Sequence, residues 1–288
     1  MVDYDTADTI VFVHGQYLTA RSWELWEKRN TDRGYKVINK SWPGIEGEVE
    51  ALRKDPSPIA KLNVADIIDH YDRIIRELPR PPIIIGHSFG GAFTQVLVSR
   101  ELGAAAVGVA AGTVRGVFDI PLITVRSNWK VLRNPIVRHR AIMPSAKEFQ
   151  FAFTNTFTEE DSAKAYERYA IAASRNVLFT GVNANLNPST PLKVDFKKSD
   201  RAPLLFIAGG KDHVVPAAAN RHNAAKYRKS SAITDIVEFP ERSHFTAAQQ
   251  GWEEVADYAL QWAFDPAPEL STASATPLQR VSPAPSPA

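Results

Sequence analysis

Short branched-aliphatic runs recur along the chain, each bounded by glycine, proline or polar residues: TIVFV at 9–13, KVIN at 36–39, PIIIG at 82–86, AAAVGVA at 104–110, PLLFIAGG at 203–210 and DIVEF at 235–239. Runs of this length without a polar alternate position predict strands covered on both faces. Between the second and third runs the period changes. In NVADIIDHYDRIIRELP, residues 63–79, Val64, Ile67, Ile68, Tyr71, Ile74, Ile75 and Leu78 fall at helical spacing, with Asn63 as N-cap and Pro79 as stop. Trp252, Val255, Ala256, Ala259, Leu260 and Ala263 repeat that stripe near the end of the chain. Strands alternating with amphipathic helices predict an α/β fold, a mostly parallel sheet flanked by helices.

Two segments break the alternation. Residues 113–200 contain SAKEFQFAFTNTF and TEEDSAKAYERYAIAASR, both of helical character, after a proline-punctuated stretch without strand period. They read as a helical cap inserted at about 113–200 into a domain spanning 1–265. Residues 266–288, rich in Pro, Ser, Ala and Thr, lack the apolar content that offsets chain ordering and are expected to form a disordered tail.

Composition narrows the function more by exclusion than by suggestion. With 34 basic and 32 acidic side chains the net charge is only +2, so no whole-molecule field points to nucleic acid. There is no cysteine, which removes disulfides, thiolate metal sites and a thiol nucleophile. The first residues, MVDYDTADTIVFVHG, match neither a signal peptide nor a membrane span, and no later apolar stretch is long enough to cross a bilayer. A cytoplasmic location is the resulting expectation, with oligomeric state left open.

The chemistry concentrates where the third strand ends. Gly86-His87-Ser88-Phe89-Gly90 fits G-x-S-x-G between a buried strand and a helix. Glycines on both flanks relieve crowding in a sharp turn, so Ser88 can take a strained backbone conformation and project its hydroxyl above the sheet. A serine hydroxyl is a weak nucleophile at neutral pH and needs a base, itself oriented by a third group. Asp212, in GGKDHVVP, follows the strand at 203–210, and His244, in PERSHFT, follows the strand at 235–239. Both fall at the carboxyl rim, where ligand sites of open α/β sheets gather.

The motifs FVHG, GHSFGG, GGKDHVVP and RSHF, in this order and each just past a strand, resemble the α/β-hydrolase superfamily. They cover most of the chain outside the proposed cap and tail. The resemblance implies Ser88 as nucleophile, His244 as general base and then acid, and Asp212 as the carboxylate that fixes the imidazole tautomer. It also implies an oxyanion hole from the backbone N–H groups of Phe89 and Gln16. Many relatives open with a β-hairpin before the HG strand. Only about eight residues precede it here, so a shortened N-terminal sheet edge is expected.

The remaining polar groups read more plainly. His87, His14 and His213 are expected to order their loops, and His70 to lie on a solvated helix face with Asp66 one turn earlier. There is no H-E-x-x-H, no G-x-G-x-x-G and no Walker A sequence, so neither a metal nor a nucleotide cofactor is expected. Seven Lys or Arg residues lie between Thr113 and Lys147 against Asp119 alone, a solvated basic face, a guide for anionic substrates or a dock for an acidic surface. The cap is also aromatic, through Phe149, Phe151, Phe153, Phe157, Tyr166 and Tyr169, mostly as core. Tyr17, Trp129 and Phe153 are the candidate substrate-binding side chains, with Asn183 to Asn185 as a further cleft segment. The Gln16 side chain is ranked below its backbone N–H.

The functional expectation is a cofactor-free serine hydrolase that cleaves a small-molecule carboxylic ester or lactone through an acyl-enzyme. Haloperoxidase-like perhydrolysis, hydroxynitrile-lyase chemistry on the same three residues, and a ligand receptor with slow hydrolysis are the alternatives.

Overall fold

The structure, a computed structural model, describes residues 7–118, 122–127, 129, 139–266 and 272–282. Its centre is a sheet ordered β2-β1-β3-β4-β7-β8-β9, built from β1 (Thr9–Val13), β2 (Lys36–Asn39), β3 (Ile83–His87), β4 (Ala105–Val109), β7 (Leu204–Gly209), β8 (Thr234–Phe239) and β9 (Gln279–Arg280). Every pairing is parallel except β8 with β9. All six aliphatic runs are strands. Among the described residues none precedes β1, so the edge beyond it is β2 alone.

Strand alternation divides the core into two layers. Val11, Val13, Ile84, Ala106, Leu204 and Phe206 face one cluster, where helix α4 (Val64–Arg76) contributes Ile67, Ile68, Tyr71 and Ile75. Ile10, Phe12, Ile85, Val107, Leu205 and Ile207 face the other, with Trp23, Trp26 and Trp262. Burying both faces is what makes the strands read as continuous apolar runs, each large side chain contributing about 1.5–3 kcal/mol. Asn63 caps α4 as expected, its Oδ1 accepting from Ala65 N–H at 2.9 Å.

Between β4 and β7 lie helices Leu122–Ser127, Ala146–Ala152, Glu159–Tyr169 and Arg175–Val182, and a two-stranded sheet of β5 (Ala141–Ile142) and β6 (Ala173–Ser174). Ser145 starts the second of these helices with a reciprocal capping box to Glu148. Of the basic run, Arg115 donates to the Pro188 carbonyl and Arg126 lies over the Phe151 ring at 4.3 Å. Lys130, Arg133 and Arg138 lie outside the described residues, as does Asp119.

The expected disorder of 266–288 is corrected for residues 272–282, which return to the sheet. Gln279 and Arg280 pair antiparallel with Ile236 and Asp235. Arg280 also bonds the wholly buried Asp235 carboxylate, to which Trp262 Nε1 donates at 2.8 Å. Leu278 and Ala275 pack against the second core layer. The stretch is held by backbone bonds from Thr276 and Val281 to β8, by the packing of Leu278 and Ala275, and by the Arg280–Asp235 pair. Residues 267–271 and 283–288 lie outside the described residues. Among the described residues, no helix is long and apolar enough to cross a membrane.

Candidate active site

Ser88 sits between β3 and helix α5 (Phe89–Ser99) with φ 55 and ψ −120, a region L-residues rarely occupy. The turn is held from both sides. Ser88 N–H donates to the Val109 carbonyl at 3.0 Å, and the Ser88 carbonyl accepts from Gly112 N–H at 2.8 Å. A Cβ on Gly90 would collide with the Val13 carbonyl, and one on Gly86 with the Gly90 carbonyl. Both glycines of the motif are therefore demanded by close approach, as the sequence pattern implied.

Asp212 and His244 reach Ser88 from the two following strand ends. His244 Nε2 lies 3.0 Å from Ser88 Oγ, and His244 Nδ1 lies 2.7 Å from Asp212 Oδ2. The other Asp212 oxygen accepts from the N–H groups of Val214 and Val215 at 2.7 and 2.8 Å. That fixes the carboxylate plane. All three side chains are buried. With Nδ1 facing a carboxylate it carries the proton, which leaves Nε2 free to accept from the serine hydroxyl.

The loops carrying Asp212 and His244 are tied to each other. Lys211 N–H donates to the Arg242 carbonyl at 2.9 Å, and Phe245 N–H donates to the Phe153 carbonyl at 2.9 Å. Buried Arg242 donates to the carbonyls of Gln250 and Gly251, both at 2.6 Å, closing the loop that presents His244. The Phe153 ring stands edge-on to His244 with centroids 4.9 Å apart.

Three other histidines order loops, as expected. His14 donates from Nδ1 to the Gly15 carbonyl at 2.9 Å, accepts from Trp42 N–H at 3.0 Å and stacks on the Trp42 ring. Burial pushes its pKa down to about 4. His87 is bonded through Nε2 to the His244 carbonyl at 2.8 Å, and burial, with the neighbouring His244 second, holds its pKa well below the ordinary value. His213 donates to the Phe151 carbonyl at 2.8 Å. His70 departs from expectation: it is half-buried, with Nε2 enclosed rather than solvated.

Ser88 opens into a mainly apolar cavity of about 810 Å³, counting its mouth. Tyr17, Phe89 and Phe153 line it, as do Val117, Leu178 and Val215. Gln16 lines it too, with Nε2 donating to the Ser174 carbonyl at 3.0 Å. Gln16 and Phe89, whose backbone N–H groups are the expected oxyanion donors, both line the cavity with Ser88. Tyr17 has a positive φ of 69, which turns the chain sharply just past Gln16. Asn185 reaches the cavity wall, but its amide is spent on Gly116 N–H and the Val117 carbonyl.

Trp129 is displaced from the expected set: 58% exposed, it lines an adjoining cavity that shares only Tyr17 and Phe153 with the first. Sequence reasoning missed Val117, Leu178 and Gly181, which come from loops and a helix without a strand-end signal. At Gly181 a Cβ would lie 2.7 Å from the Phe89 ring, a close approach that carries no sequence signal. Among the described residues no group of three or more histidine, aspartate or glutamate side chains could hold a metal ion.

A parallel sheet with a strained serine after its third strand, and a buried imidazole and carboxylate delivered from its far strands, is the architecture of an α/β hydrolase. The chain belongs to that family: residues 10–258 match the model described as "Alpha/beta hydrolase family". Among solved structures, it is similar to a pyrethroid hydrolase from Sphingobium faniae JZ-2, with 18% identity, coverage of 91% of this chain and 99% of that one, and a TM-score of 0.65. It is also similar to polyneuridine aldehyde esterase, with 16% identity, coverage of 89% and 99%, and a TM-score of 0.60. A methylesterase from Arabidopsis shares 14% identity over 88% of this chain and 97% of its own, with a TM-score of 0.59.

Proposed function

We propose that the chain is a serine hydrolase that cleaves a small-molecule carboxylic ester or lactone through an acyl-enzyme. The observation that carries this reading is the continuous relay from Asp212 through His244 to Ser88, at 2.7 and 3.0 Å, on the wall of an apolar cavity. Family membership and the fold shared with two esterases agree with it.

In this reading His244 Nε2 takes the Ser88 proton as Oγ bonds to the substrate carbonyl carbon. The resulting imidazolium is stabilised by the buried Asp212 carboxylate. Charge developing on the carbonyl oxygen is met by the N–H groups of Gln16 and Phe89, each contributing about 2.7–4 kcal/mol to the barrier reduction. The imidazolium then protonates the departing alkoxide, leaving an ester on Ser88. A water, deprotonated by His244, cleaves that ester in the same geometry. Besides substrate and water, these steps use only groups of the chain.

The helical segment at about 113–200 acts as a cap, supplying Val117, Phe153 and Leu178 to the substrate cavity. That cap is the specificity element of a domain whose sheet runs on to β9 (Gln279–Arg280). Tyr17 and Phe153 flank the acyl or alcohol group, and Trp129 serves the adjoining cavity rather than the reacting centre. Treatment with a fluorophosphonate tests the reading: Ser88 should carry the adduct by peptide mapping, and Ser88→Ala should carry none. An unlabelled wild-type serine would overturn it.

A further inference from the structure

The peptide units on either side of Asp212 are held by side chains from the 113–200 insertion. Asn155 Nδ2 donates to the Lys211 carbonyl at 3.0 Å, and Ser127 Oγ donates to the His213 carbonyl at 2.8 Å. The His213 ring answers in the other direction, its Nδ1 donating to the Phe151 carbonyl at 2.8 Å. Carbonyl oxygens only accept, so each bond fixes which partner gives the hydrogen.

The loop that carries the base is reached from the same place. Phe245 N–H donates to the Phe153 carbonyl at 2.9 Å, midway between the positions, 151 and 155, that touch the Asp212 loop. From the sheet side, Lys211 N–H donates to the Arg242 carbonyl at 2.9 Å and Asp212 N–H to the Gly209 carbonyl at a long 3.3 Å. The N–H groups of 211 and 212 are thus held by the sheet side, and the carbonyls of 211 and 213 by the insertion. Neither Ser127 nor Asn155 lines the cavity into which Ser88 opens, and both are half-buried rather than core.

We propose that Ser127 and Asn155 are positioning residues that set the Asp212 loop so that its carboxylate meets His244, which makes the cap an aligner of the relay as well as a wall of the cavity. This rests on the serine-hydrolase reading of the same site. A misplacement of about 1 Å that originates far from the chemistry can lower a rate by about 100-fold. The Asp212–His244 contact, at 2.7 Å, does not survive a displacement of that size.

The test is a cycle of variants read by steady-state kinetics on an activated ester. Ser127→Ala combined with Asn155→Ala should lower kcat by about 10- to 100-fold with KM little changed. Asp212→Ala alone keeps residual turnover above the uncatalysed rate, and in that background the same two changes should alter kcat by less than about twofold, because the group they position is gone. Ser127→Thr and Asn155→Gln keep a donor and should recover most of the loss. Each single alanine variant removes one bond and should lose about 3- to 10-fold, again only while Asp212 is present, which decides the matter if the double variant does not fold. Wild-type kcat in the alanine variants would overturn the proposal. So would a loss of equal size with and without Asp212, which would make the two residues general supports of the cap. Either result accompanied by Ser88-dependent turnover sinks only the positioning role, whereas turnover indifferent to Ser88→Ala sinks the hydrolase reading itself.

Discussion

His87 Nε2 and the backbone carbonyl of His244 are 2.8 Å apart, although the two residues are separated by 157 positions in sequence. One histidine thus holds the main chain of the other, with ring centroids 4.8 Å apart. Because His87 is buried and kept neutral, it supplies a donor without placing a second positive charge beside the imidazolium proposed for His244.

That relationship makes His87 a positioning residue with a specific signature. His87→Leu, which fills space but cannot donate, should lower kcat about tenfold with KM little changed, as His244 loses its anchor. His87→Gln, whose amide nitrogen reaches the same carbonyl, should recover most of the loss. Steady-state kinetics on an activated ester reads both. Equal losses in the two variants would assign His87 to packing alone.

Buried neutral histidines also set the acid behaviour of the fold. His14 is pushed down to about 4 by burial, while its unfolded value is near the ordinary 6.5. Between those values the unfolded chain binds the proton and the folded chain does not. Stability is therefore full above about pH 6.5 and falls as pH drops toward 4, by about 3 kcal/mol from His14, with His87 adding in the same direction. Asp257, lowered chiefly by its hydrogen bond to Arg29, continues the decline at still lower pH. Urea unfolding midpoints measured from about pH 7.5 to about pH 4.5 should fall steadily. A flat profile above about pH 5 would contradict the buried neutral state of these rings.

The returning C-terminal strand yields a stability prediction. Asp235 is wholly buried and is paired with Arg280 and Trp262. Arg280→Met strands the carboxylate and should cost about 3 kcal/mol, while Asp235→Asn with Arg280→Met should restore part of it. Thermal or urea denaturation measures both. An unchanged midpoint in the single variant would show that β9 does not dock in solution.

What the sequence made legible follows from how local each signal was. The strands could be read because both faces of the sheet are covered, so Ile83, Ile84 and Ile85 are all buried and no polar position interrupts the run. Ser88, Asp212 and His244 could be read because each lies just past such a strand, and strand ends in a parallel sheet converge on one rim. The docking of residues 272–282 could not, since it depends on Asp235 meeting Arg280 across 45 positions, a relationship that composition does not carry. Which cavity Trp129 faces was not legible, because aromatic content identifies a cap without saying which of two adjoining cavities a given ring lines.

The most direct measurement is kcat/KM for an activated ester with wild-type protein, Ser88→Ala, His244→Ala and the double variant. The account predicts that each single change lowers turnover by several decades, toward roughly a millionfold, and that the double variant is no worse than either single one, because the two side chains act as a unit. Wild-type turnover in Ser88→Ala or in His244→Ala would contradict it.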